Sequence, residues 1–177
     1  MIRTLIAIVF LIIFHQSSWG TNIVELQLQE KLDEMRGFCI DIRGYKARAK
    51  IKRGLQAHSC YSYQGKIAVD QAFDRDLLKQ GSFYMPAFDV CMEAEGHFKN
   101  AKLILNQCTE ENLQKFELTE DGQVMLVSEP RFCVAVAGEK SREGGGGAPP
   151  HLKRALLLQE CTEVEPKYGI WKTNEVE

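Results

Sequence analysis

Residues 60–75 read CYSYQGKIAVDQAFDR, and residues 108–118 read CTEENLQKFEL. In each, a cysteine is followed by a polar loop and then by Gln-x-Phe: Gln71 to Phe73 in the first, Gln114 to Phe116 in the second. A fixed internal period has to be sought before secondary structure is read, because repeats that share one core change the meaning of each local signal. Working outward, the markers occur three times. The first unit runs GFCIDI (37–42), LQAHSC (55–60), DQAF (70–73); the second FDVCMEA (88–94), LILNQC (103–108), LQKF (113–116); the third RFCVAV (131–136), LLLQEC (156–161), YGIW (168–171).

Each unit opens with a cysteine in an alternating apolar segment, runs through a strand-like stretch to a second cysteine, and closes on an aromatic. Phe38, Ile40 and Ile42 alternate with Cys39, Asp41 and Arg43, and Phe132, Val134 and Val136 repeat the pattern. Period two predicts half-buried strands, as do the β-rich runs KLILNQ (102–107) and GQVMLV (122–127). The stretch IVELQLQEKLDEM (23–35) fits a strand through Val24, Leu26 and Leu28, or a helix through Leu28, Leu32 and Met35; we read a strand. Insertions fall between the markers, the widest being GEKSREGGGGAPP (138–150), whose four consecutive glycines predict a flexible surface excursion. Three units of short strands predict an all-β, closed, pseudo-symmetric body in which no unit buries its core alone.

The first twenty residues carry Arg3, an apolar run from Leu5 to Phe14, and small residues Ser18 and Gly20. They read as a secretory signal peptide cut after Gly20, since the apolar run is about half of the roughly 20 residues that span a bilayer. The remaining 157 residues suit one domain, 21–177. Without Arg3 there are 21 basic and 24 acidic residues and no sustained basic stripe, which argues against nucleic acid as a partner. All six cysteines lie in this part, and export to an oxidising compartment predicts three disulfides among fifteen connectivities. No CxxC or HxxxH pair supports zinc, and no cofactor is expected.

Cys-x-Asp near the start of a unit, Cys near its middle and Gln-x-aromatic at its end resemble the ricin B-type lectin family. The chain is also similar in style to the cysteine-rich domain of the mannose receptor, with CTEENLQKF the nearest local match. The resemblance covers residues 22–172 and implies a β-trefoil of about twelve strands, with repeats of roughly 22–75, 76–118 and 119–172. It further implies one disulfide within each repeat: Cys39–Cys60, Cys91–Cys108 and Cys133–Cys161. Phe73 and Phe116 stand where the family usually has Trp; Trp171 keeps it, but Gly169 replaces Gln. On this reading Phe73, Phe116 and Trp171 fill the core, and Gln71 and Gln114 satisfy backbone groups that the turns leave unpaired.

A sugar pocket of this family needs an Asp two residues after the first Cys, polar or aromatic residues four and two before the second, and an amide pair at the close. The first unit supplies Asp41, Gln56, His58, Asp70 and Gln71, a set able to hydrogen-bond vicinal hydroxyls and cover a pyranose face. Asp70 in place of Asn sets a second carboxylate near Asp41, which would favour a cation or raise one pKa. The plainer alternative has Asp41 capping a turn and His58 an exposed ring. The other units lack the array: Glu93, Ile104, Asn106 and Leu113 in the second; Ala135, Leu157 and Gln159 in the third. The cluster His151, Lys153, Arg154 reads as a solvated charged loop, or a contact for an anionic sugar.

The resemblance therefore implies a secreted, non-catalytic carbohydrate-binding protein with glycans or glycoproteins as partners and at most one site. A protein-binding trefoil, inhibitor-like or receptor-ligand-like, is the alternative. An enzyme is disfavoured, since no nucleophile and base, carboxylate pair or metal cluster has recognisable spacing.

Overall fold

The structure is a computed structural model that describes residues 22–175; the expected signal peptide, 1–20, lies outside the described residues. In chain order the strands are β1 (Ile23–Leu28), β2 (Phe38–Ile42), β3 (Leu55–Ser59), β4 (Phe73–Asp74), β5 (Tyr84–Met85), β6 (Val90–Ala94) and β7 (Leu103–Asn106). They continue with β8 (Phe116–Leu118), β9 (Val124–Leu126), β10 (Phe132–Val136), β11 (Arg142–Glu143), β12 (Leu152–Arg154), β13 (Leu156–Glu160) and β14 (Trp171–Asn174). Two short helices intervene, α1 (Arg75–Lys79) and α2 (Pro166–Gly169). Neither was expected. The first starts where the Asp74 carboxylate accepts from the backbone N–H groups of Asp76 (3.0 Å) and Leu77 (2.9 Å); the second starts at a proline, whose missing N–H is no loss there. Among the described residues no helix is long and apolar enough to cross a membrane.

The threefold recurrence holds at the level of strand register. The leading cysteine of each unit lies opposite one residue of the preceding strand: Cys39 opposite Gln27, Cys91 opposite Tyr84, Cys133 opposite Met125. From there β2 pairs with β3, β6 with β7 and β10 with β13, all antiparallel. The disulfides Cys39–Cys60, Cys91–Cys108 and Cys133–Cys161 clamp the open ends of these three hairpins, each with Cα atoms 5.0 Å apart. Strand β1 pairs with both β4 and β14 and so joins the first unit to the last; β8 pairs with β9, and bridges Ser82–Lys115 and Gln123–Ile170 continue the ring. Setting aside β11 and β12, which flank the glycine-rich tip of the insertion, twelve strands remain, and the architecture is a β-trefoil.

Period two decides the ambiguous stretch. Val24, Leu26 and Leu28 are all buried, while Leu32, beyond the end of the strand, adopts a positive φ of 51° that a right-handed helix excludes, and Met35 is 78% exposed. A helix over 23–35 would have needed both of the latter on its apolar face. The core collects Phe38, Phe73, Phe83, Phe116, Phe132 and Trp171 with the aliphatic residues of all three units. Phe83 meets the closing aromatics of two units, Phe73 edge-on at 6.2 Å and Phe116 tilted at 5.6 Å between ring centroids. Trp171, the third closing aromatic, donates its indole N–H to the Val134 carbonyl at 2.9 Å, so its polar edge is satisfied inside the core.

Candidate functional site

The hairpin β2–β3 sets Asp41 opposite Gln56 and Cys39 opposite His58. By strand alternation these four face away from Phe38, Ile40 and Ile42. Asp70 and Gln71 arrive beneath them on the segment entering β4. All five residues expected to form the sugar pocket are thus brought together, and all five are buried: Asp70 and Gln71 are 0% exposed, Asp41 2%, His58 4% and Gln56 6%.

They are bonded largely to one another. Gln56 Nε2 donates to Asp41 Oδ1 (2.8 Å), and Gln71 Nε2 donates to Asp41 Oδ2 (3.2 Å) and to the Ser59 carbonyl (3.1 Å). Gln71 Oε1 accepts from the Tyr61 N–H (2.9 Å). Asp70 Oδ2 accepts from the backbone N–H of Lys46, and its Oδ1 is buried with no partner. Burial raises the Asp41 carboxyl well above the usual carboxylate range, and the nearby Asp70 raises it further; Asp70 is itself raised, chiefly by burial. Both oxygens of Asp41 are taken up by amide N–H groups, which leaves little of the expected carboxylate pair to hold a cation. Among the described residues one donor cluster has metal-like spacing, Glu25 with Cys39 and Cys60, and its sulfurs are joined in a disulfide.

Gln71 performs the structural task expected of it, and so does its counterpart. Gln114 Oε1 accepts from the Thr109 N–H (2.8 Å), while its Nε2 donates to the Gln107 carbonyl (3.0 Å) and to Glu93 (2.6 Å). The acid two residues after the leading cysteine is therefore braced by the closing glutamine in both units. In the third unit acid and glutamine are absent together, replaced by Ala135 and Gly169. At Gly169 the room a side chain would need is taken by Val164, whose Cγ1 would lie 2.5 Å from a Cβ there.

What covers His58 comes from the third unit. The insertion was expected to be a surface excursion, and its tip, residues 145–150, is exposed. Its flanks, however, form the β11–β12 hairpin, and β12 adds to the free edge of β3 with Lys153 opposite His58 and Arg154 opposite Ala57. His151 is buried, not solvated: its ring stands edge-on to Tyr61 (5.0 Å) and His58 (5.4 Å), and Tyr63 Oη lies 3.2 Å from its Nε2. A tight turn makes this possible. Gly147 has φ +77°, and a Cβ there would lie 2.7 Å from the Pro149 carbonyl and 3.0 Å from the His151 ring. Arg36 holds the strap from the other side, donating to the carbonyls of Pro149 (3.1 Å) and Pro150 (2.8 Å) while paired with Glu34 (2.6 Å). Arg154, expected in a solvated loop, is instead paired with Asp33 at 2.8 Å.

Electrostatics follow the packing. Burial lowers the His58 imidazole to about 4; the Ser59 carbonyl beside Nδ1 works against this, and His151 and Lys153 add to it. His151 is lowered as well, by burial and then by Arg36. Burial would raise Glu34, yet hydrogen bonds from Arg36 and Ser59 hold it at about 2. Sequence reasoning missed Glu34, Arg36, Tyr61 and the strap. The one signal was HLKRALLLQ (151–159), an extended run that begins before the expected strand. A cavity of about 580 Å³ lies elsewhere, between Arg75, Lys79, Phe116, Leu118 and Thr173, and none of the five residues lines it.

No protein-family profile and no curated protein matches the chain. Solved structures do. The β-trefoil lectin of the Vibrio vulnificus hemolysin/cytolysin, solved with N-acetyl-D-lactosamine bound, aligns with a TM-score of 0.55 at 17% identity, over 89% of this chain and 97% of that one. The C-terminal domain of an earthworm lectin, a mutant in complex with 6′-sialyllactose, aligns with a TM-score of 0.54 at 13% identity, over 86% and 99%. At such identities what is shared is the fold, and the chain is similar in fold to the β-trefoil lectins.

Proposed function

We propose that this is a secreted, non-catalytic carbohydrate-binding protein: a signal peptide over 1–20, then one trefoil domain over 21–177 whose first repeat carries the sugar-contacting residues Asp41, Gln56, His58, Asp70 and Gln71. The observation that carries this reading is their convergence. Only in the first repeat do an acid, two amides, a second carboxyl and a ring meet at one place, and the unpartnered Asp70 Oδ1 is an acceptor that a hydroxyl would satisfy. Because all five are buried, with the strap lying over His58, binding requires the cover to move. Each sugar hydrogen bond contributes only about 0.5–1.5 kcal/mol net, so affinity per site is weak, and partners are glycoproteins or other surfaces presenting many copies.

The test is a glycan panel that includes N-acetyl-lactosamine and sialyllactose. Asp41→Ala abolishes the sugar-competable signal; equal binding by the variant refutes the site. His151→Ala thins the cover without touching the five residues and strengthens binding; a folded His151→Ala protein that binds no better refutes the covered-site reading. A protein-binding trefoil is the second reading, favoured by the burial of all five residues. It predicts a partner that no sugar displaces.

A further inference from the structure

Two depressions, of about 170 and 220 Å³, meet at Arg43. Arg142, Lys153 and Arg154 line the first; Lys52, Arg53 and Lys102 line the second. Three elements bring them together. Arg43 leaves β2 with its Nε donating to the Leu55 carbonyl at 3.1 Å, which holds the guanidinium across the hairpin mouth. Gly54, at φ +67°, lets the chain press on β7 so closely that a Cβ there would lie 2.7 Å from the Leu103 carbonyl, and this seats Lys52 and Arg53 beside Lys102. The β11–β12 hairpin contributes Arg142 directly opposite Lys153. All three repeats thus supply cations to one groove.

The charge is not neutralised from within. Among the described residues Arg43, Lys52, Arg53, Lys102 and Lys153 make no ion pair, Arg142 reaches only Glu139 at 3.8 Å with both side chains exposed, and Arg154 alone is closely matched, by Asp33. Glu95 is the single acid lining either depression. Like charges directly opposite in an antiparallel pair are destabilising, and a chain of net charge −2 has no compositional need to gather them. Arg43 registers the crowding: after burial, the cations Arg53 and Arg142 are among the causes that lower its pKa.

We infer that this groove binds an anionic saccharide, its sulfate or carboxylate groups bridging Arg43 to the cations on either side. Arginine suits such groups, since its planar fork donates two parallel hydrogen bonds to an oxyanion. No aromatic side chain lines either depression, and the stacking platform that single-stranded nucleic acids use is absent from the groove. The groove adjoins the first-repeat pocket, since Gln56 also lines the first depression, but none of its cations belongs to that set of five, and it stands whether or not the pocket binds sugar.

Isothermal titration of the purified chain tests it, using a sulfated hexasaccharide of alternating uronate and glucosamine, its desulfated counterpart, and a single-stranded DNA of equal charge. The sulfated chain binds, the other two bind at least about tenfold more weakly, and log K falls with log salt. Arg53→Ser/Lys102→Ser/Lys153→Ser weakens binding by about tenfold or more and reduces the salt slope by roughly 0.7 to 0.9 per cation removed, with the thermal midpoint held. Lys31→Ser/Lys66→Ser/Lys172→Ser, on exposed lysines outside the groove, leaves affinity within about twofold. Equal weakening by both triple variants, undiminished binding by the first, or equal binding of the desulfated saccharide or the DNA overturns the inference.

Discussion

Acidifying the folded protein should cost it stability through His58. An unfolded imidazole takes its proton near 6.5, whereas His58 in the fold takes one only near 4. Between those values the unfolded chain holds more protons, so stability falls as pH falls; it is intact above 6.5 and lost progressively toward 4. At about 1.4 kcal/mol per unit, the loss from this one group is about 1 kcal/mol by pH 5.5, about 2 to 3 by pH 4.5, and about 3 in full. His151 and Lys153 disfavour the cation, while Glu34 and the Ser59 carbonyl favour it. Asp41 acts with the opposite sign: its folded pKa is raised, so in the same window folding takes up a proton and acid stabilises. The assay therefore uses differences. Urea unfolding followed by the fluorescence of buried Trp171, at pH 7.5, 5.5 and 4.5, gives the gap between wild type and His58→Gln; it should shift by about 1 kcal/mol over the first step and in the same direction over the second. Asp41→Asn should give a difference curve of the opposite slope. A wild-type-to-His58→Gln gap that stays flat, or that moves in favour of wild type on acidification, refutes the burial argument.

Gln71→Ala strands the Tyr61 N–H, the Ser59 carbonyl and one oxygen of Asp41, and should cost about 2 to 4 kcal/mol in denaturant midpoints. Gln114→Ala should behave alike; a loss under about 1 kcal/mol in either means water replaces the brace. Glu34→Gln removes the partner of Arg36 and Ser59, whose hold on the carboxylate is worth about 3 kcal/mol at neutral pH. Limited proteolysis should then cut within residues 138–150 several-fold faster than in wild type, and equal rates would mean the strap does not depend on that pair.

The fold was legible because its signals repeat. Three Cys-led strands, three closing aromatics and a period-two pattern through Val24, Leu26 and Leu28 each recur or reinforce one another, and the hairpin disulfides follow from the resemblance they carry. The site was legible in part. Alternation sets Asp41, Gln56 and His58 on the face away from Phe38, Ile40 and Ile42, which is where they lie, and from a single strand that face reads as solvent. Its cover sits some 90 residues downstream, in backbone pairing between β12 and β3, and no local propensity encodes which free edge a hairpin will join. Gly169 illustrates the same limit: the missing glutamine was plain, but that Val164 takes the room of a side chain there became visible only in the fold.

The pairing of β1 with β14, together with the hairpin laid on β3, has a consequence for biosynthesis. Strands β1 and β3 leave the ribosome well before their outer partners: each keeps an edge bare until β14 and β12 have been translated, so the ring closes only when late-made strands fasten onto early-made ones.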